Sequence, residues 1–97
     1  DVGIGGGVAR VVGKLLKQLG TRSQVLCVTH QPLVASLANQ HLLVSKETSA
    51  KTAKSRIYPL DEQERLQEIA RMLGGDSDGP TLSSEALAHA RELTANA

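Results

Sequence analysis

Apolar residues recur along this chain in two spacings. Val8, Val11, Val12, Leu15, Leu16 and Leu19 fall at i, i+3, i+4, i+7, i+8 and i+11, one stripe of an α-helix, with Arg10, Lys14, Lys17 and Gln18 on its other side. Gly20 supplies the stop, and Gly13, which costs a helix interior about 1 kcal/mol relative to Ala, points to a close packing contact. The spacing then changes. In residues 24–32, QVLCVTHQP, the continuous run Val25, Leu26, Cys27 and Val28 ends at Thr29 and His30, the pattern of a buried strand with a polar tip.

Pro32 sits well at the first turn of a short helix running to about Ala38, with Leu33, Val34 and Leu37 as its buried face. Residues 41–46 and 55–60 read as two more strands, which pair as a hairpin across the polar turn 47–54. Asp61 and Glu64 have the spacing of a helix start, and Leu66, Ile69, Ala70 and Leu73 form the inner face of the helix that follows, ended by Gly74 and Gly75. Residues 76–80 form a polar joint. Ser83 or Ser84 then opens a last helix with Ala86, Leu87, Ala90 and Leu93 on one side and His89 off that side.

At 97 residues the chain is one domain at most, and it buries roughly two-thirds of the surface its unfolded form exposes. Tyr58 is the sole aromatic residue, so the core is aliphatic. Eleven basic residues against ten acidic ones give a formal charge of +1, so any affinity for nucleic acid needs a local patch. Lys46, Lys51, Lys54 and Arg56 around the hairpin turn are the candidate, read either as a solvated loop or as a phosphate contact. Cys27, the single cysteine, excludes an internal disulfide and reads as a small buried hydrophobe. No apolar run approaches the roughly 18 residues of a membrane span, and a cytoplasmic setting is expected. Residues 1–7 form a glycine-rich loop, and the opening DVGIGGG, without an initiator Met, suggests an excerpt of a longer protein.

Few residue sets here carry chemistry. The three histidines lie on three different elements, so no metal site is expected. A GxxxxGK[ST] phosphate loop is absent. His30 stands past the carboxyl end of a strand, where ligand sites of open α/β sheets lie, and from the residues alone it is either a strand cap or a functional imidazole.

Taken together, DVGIGGG, VTHQP, VSKE, IARMLGG and HAREL, in this order and spacing, resemble the carboxyl-terminal end of the RecN family of bacterial DNA repair and recombination proteins, relatives of the SMC and ABC-type ATPases. The resemblance covers essentially the whole chain. It implies an α/β fold: the carboxyl-terminal portion of a P-loop ATPase head, with a short sheet and about four helices. It also implies ATP and Mg²⁺ held by the full-length protein between two copies of the head, action on DNA in double-strand break repair, no membrane, and a nucleoid-associated cytoplasmic location. In that pattern His30 is the switch histidine that reaches the γ-phosphate, Thr29 and Gln31 support it, and Asp1, Gly3 and Gly5 belong to a loop that crosses the dimer interface. Gly5 departs from the family's usual serine. The Walker motifs are missing, so the 97 residues alone are expected to be inactive. A non-catalytic interaction or oligomerisation module is the alternative.

Overall fold

The computed structural model describes residues 6–49, 51–74 and 84–95. They form a mixed α/β arrangement in the order α1 (Gly6–Leu19), α2 (Pro32–Ser36), β1 (Leu42–Thr48), β2 (Ala53–Pro59), α3 (Glu62–Gly74) and α4 (Ser84–Ala95). The four expected helices and the hairpin are present. Of the glycine-rich opening, Gly6 and Gly7 belong to α1, and residues 1–5 and the joint at 76–80 lie outside the described residues.

The best-covered packing is between α3 and α4. Ile69, Ala70 and Ala90 are fully buried, with Leu66, Leu73, Ala86, Leu87 and Leu93 packed around them, as the two stripes predict. The start of α3 is a reciprocal capping box: Glu64 N–H donates to Asp61 Oδ1 (2.8 Å) and Asp61 N–H donates to Glu64 Oε1 (3.1 Å). Two donors that a helix start leaves orphaned are thereby satisfied, and both carboxylates sit at the positive end of the helix dipole.

α2 is short but central, because it packs against α1, α3 and α4. Val34, Ala35, Ser36 and Leu37 are all buried, and the Ser36 hydroxyl is satisfied by the Leu33 carbonyl at 2.8 Å. α1 meets α2 through its small residues. Ala9 is fully buried, and a Cβ on Gly13 would lie 2.6 Å from Leu37 Cδ1 and 3.5 Å from Val34 Cα, the close contact that a glycine inside a helix implies. The long apolar stripe therefore splits. Val12 and Leu16 are half-buried beside Ala9 and Gly13, whereas Val8, Val11, Leu15 and Leu19 are each more than half exposed, because α2 is the one element that packs on α1 among the described residues.

The larger correction concerns residues 24–30. They form neither helix nor strand, and the sheet of the described residues consists of β1 and β2 alone. Leu26 is 82% and Val28 94% exposed, and Cys27 is exposed rather than buried. A strand forms only where a neighbour accepts its backbone hydrogen bonds, and neither β1 nor β2 pairs with this segment.

β1 and β2 pair antiparallel from Leu42↔Pro59 to Thr48↔Ala53, longer at both strands' turn ends than the sequence suggests. Ser49 N–H donates to the Thr52 carbonyl at 2.9 Å and tightens the turn. The β-branched pair Val44↔Ile57 and Leu42 share one face, all more than 45% exposed, and the hairpin packs on none of the helices among the described residues.

Candidate functional site

His30 is exposed and stands where the extended segment meets α2. A short chain of hydrogen bonds sets its backbone. The Gln31 N–H donates to Thr29 Oγ1 at 3.0 Å, spanning His30, and the Ala35 N–H donates to the Gln31 carbonyl at 3.0 Å, closing the first turn of α2. The chain turns here because Pro32 cannot donate and has φ preset for a helix start, while Gln31 is held extended at φ −87° and ψ 117°. Thr29 and Gln31 flank His30 in this turn, Thr29 contributing a side-chain acceptor and Gln31 its backbone N–H and carbonyl. The roles given to Asp1, Gly3 and Gly5 fall outside the described residues.

Behind this turn lies a polar cluster that sequence patterning does not single out. Arg65 on α3 donates from Nη2 to the carbonyls of Ala35 (3.0 Å) and Ser36 (2.9 Å), which are carbonyls at the end of α2. Its Nε is buried without a partner, as is His41 Nδ1. Burial pulls Arg65 below the ordinary guanidinium range, opposed by Glu62. Burial, and secondarily the Arg65 cation, also holds the His41 imidazole below its usual value of 6.5, with Glu68 acting in the opposite sense. Glu68 is 9% exposed and is gripped by Arg71, whose Nε donates to both carboxylate oxygens at 3.1 and 2.9 Å. The signal that points to Arg65 is its place four residues before Ile69, beside the apolar stripe of α3 and not opposite it.

The basic residues of the hairpin do not form one patch. Directly opposed residues share a face, so Lys54, opposite Glu47, and Arg56, opposite Ser45, lie on one face, while Lys46, opposite Ser55, lies on the other. No group of three or more His, Cys, Asp or Glu among the described residues is arranged to hold a metal ion. A cavity of about 330 Å³ lies at the far end of α1, lined by Leu15, Gln18, Leu19, Thr21 and Arg22, and it does not include His30. No helix among the described residues is long and apolar enough to cross a membrane.

No protein-family model matches the chain. Individual proteins do. It is 46% identical over 93 residues to the DNA repair protein RecN of Vibrio cholerae, covering 96% of this chain and 16% of that protein. It is 53% identical over 75 residues to RecN of Xylella fastidiosa, covering 77% of this chain and 14% of the relative. With RecN of Treponema pallidum the identity is 43% over 93 residues, again 96% of this chain and 16% of the relative. The chain thus spans about a sixth of the length of the relatives it matches. With similarity of this extent, and with the helices and hairpin that the shared motifs imply, the chain belongs to the RecN family and corresponds to its carboxyl-terminal region.

Proposed function

We propose that this chain acts in DNA repair as the carboxyl-terminal part of a RecN-type ATPase head, presenting His30 to the γ-phosphate of ATP held by other parts of the protein. The observation that carries this reading is the presentation of His30: an exposed imidazole on a turn spanned by the Gln31–Thr29 hydrogen bond and continued into the first turn of α2, at the end of an apolar extended segment that pairs with neither β1 nor β2. The three relatives described above all bear the name DNA repair protein RecN.

ATP with Mg²⁺ supplies the transferable phosphoryl group when bound. The residues present fit part of such a site: an exposed imidazole suits a phosphate oxygen, and among the described residues there is no carboxylate cluster for the metal. The chain's own contribution is one ring N–H. Neutral, it donates a hydrogen bond to a phosphate oxygen; protonated, it offsets the negative charge that builds during phosphoryl transfer. Residues 24–28 insert into a sheet formed with the rest of the head, and DNA is engaged by the full-length dimer in double-strand break repair and recombination.

The test places this chain in full-length RecN of Vibrio cholerae in exchange for the matching 93 residues. His30→Ala is expected to lower ATP hydrolysis by about 10²-fold or more, in the range of removing one group that stabilises the transferring phosphoryl. Hydrolysis unchanged by His30→Ala would refute the catalytic reading.

That outcome would leave the second reading, a non-catalytic interaction module, which one observation favours. Among the described residues, Val8, Val11, Leu15 and Leu19 of α1 and Leu26 and Val28 of the extended segment are each more than half exposed, apolar surface of the kind that marks a protein–protein contact when it is contiguous.

A further inference from the structure

The molecule contains a side chain that reaches from the α3–α4 core to the turn carrying His30. Arg65 donates through Nη2 to the Ala35 and Ser36 carbonyls, across 30 and 29 residues of sequence. Ala35 in turn donates its N–H to the Gln31 carbonyl, and Gln31 donates its N–H to Thr29 Oγ1. Every link is about 3 Å long, and the last spans His30. We propose that Arg65 is a positioning residue for His30, fixing the backbone of the 29–31 turn through α2 so that the imidazole is presented in one orientation.

Three features favour a positioning role over simple packing. The guanidinium binds backbone carbonyls rather than a carboxylate, so its bond geometry is imposed on main-chain positions of α2 and not on a movable side chain. Both acceptors belong to the last residues of a helix of five residues; the Ala35 carbonyl also accepts from the Ala38 N–H at 3.2 Å, and a helix this short is easily shifted without an external donor. The other end of Arg65 is set by α3, whose neighbouring residue Leu66 and next-turn residue Ile69 sit in the best-buried cluster of the structure. A rigid base, a two-pronged clamp and a short lever thus lie in series between that core and His30. Arg65 does not touch the imidazole; it acts through Ala35, Gln31 and Thr29.

The inference rests on the reading of His30 as the γ-phosphate contact, but its structural half can be measured without nucleotide. In the 97-residue chain, amide hydrogen exchange is compared for the parent, Arg65→Met and Arg65→Lys. Arg65→Met is expected to speed exchange at Gln31 and Ala35 by about tenfold or more, while Ile69 and Ala70 keep their parent rates, since α3 holds its own ladder. Arg65→Lys, which keeps the charge but lacks the planar fork, is expected to recover part of the protection. Unchanged exchange at Gln31 and Ala35 would overturn the proposal, and so would acceleration of all four amides together, which marks a merely structural loss.

In the Vibrio cholerae chimera, Arg65→Met is expected to lower kcat for ATP hydrolysis with KM unchanged, and to have no further effect in a His30→Ala background. Additive losses from the two substitutions would show that Arg65 does not act through His30. If His30→Ala leaves kcat intact while Arg65→Met still loosens Gln31 and Ala35, the catalytic reading fails and the clamp stands.

Discussion

Gly13→Ala is the substitution whose outcome depends most directly on the contact between α1 and α2. A helix interior gains about 1 kcal/mol from Gly to Ala. Against this, the new Cβ would meet Leu37 Cδ1 at 2.6 Å, whereas ordinary carbon contacts lie at about 3.5–4.0 Å. The Val34 backbone is already at ordinary distance, 3.5 Å, so the Leu37 methyl rather than α2 has to give by about 1 Å. Leu37 is 5% exposed, so turning its methyl away crowds a buried position, at a cost of about 1–3 kcal/mol. The net expectation is a loss of about 1 kcal/mol. In a Leu37→Ala background, itself about 2–5 kcal/mol less stable, the obstacle is gone and the same Gly13→Ala change is expected to stabilise by about 1 kcal/mol. Urea denaturation followed by far-UV circular dichroism reads both legs of this cycle, because the single aromatic residue, Tyr58, lies on the hairpin and reports poorly on α1. If Gly13→Ala stabilises equally in both backgrounds, α1 and α2 are not in the contact described.

Two further outcomes follow from the α3 side. Asp61→Ala removes the side-chain acceptor for Glu64 N–H while leaving the residue 61 N–H free to donate to Glu64 Oε1, so one of the two capping-box bonds is lost and the urea midpoint should fall by the equivalent of about 1 kcal/mol, with Asp61→Asn losing less. His41 is depressed by burial below 6.5, so its unfolded form binds the proton first as pH falls. Its share of stability is complete above about pH 6.5 and is lost progressively as pH falls through the depressed folded value; urea midpoints taken from about pH 8 to about pH 5 should show this decline, and His41→Gln should flatten that component.

The parts of this fold that were legible in the sequence are those whose partners are close by in the chain. Leu66, Ile69, Ala70 and Leu73 face Ala86, Leu87, Ala90 and Leu93 because two nearby amphipathic helices cover each other, so periodicity is sufficient. The capping box and the hairpin pairing are likewise local. Periodicity reports which residues share a face and leaves open which part of the face is covered. On α1 the covering element approaches at Gly13, so Ala9 and Gly13 are buried while Val8, Val11, Leu15 and Leu19 are not. The place of Arg65 beside the stripe of α3 is readable, but its partners are not: its acceptors are backbone carbonyls, which carry no residue-type signal in a sequence. The entry from Thr29, His30 and Gln31 into α2 was legible from Pro32, and the Arg65 hydrogen bonds to the end of α2 were not.

The exposed segment before His30 has a pattern that magnitudes help to interpret. In an extended chain Leu26 and Val28 share one face, with Val25 and Cys27 on the other, so both faces are apolar. Ordering two residues costs about 2–4 kcal/mol of backbone entropy, and burying one Leu or Val gives about 1.5–3 kcal/mol. A surface covering a single face would bury one apolar side chain for every two residues ordered, and the two terms would roughly cancel. Layers on both faces double the gain to about 3–6 kcal/mol and tip the balance. The segment is therefore suited to an interior sheet position and poorly suited to lying on a flat surface, and β1 and β2 do not offer it such a position. His30 begins where that apolar run stops, on the turn that α2 and Arg65 hold, so the same docking that covers Leu26 and Val28 would deliver the imidazole to the end of a sheet strand, where ligands of open α/β sheets lie.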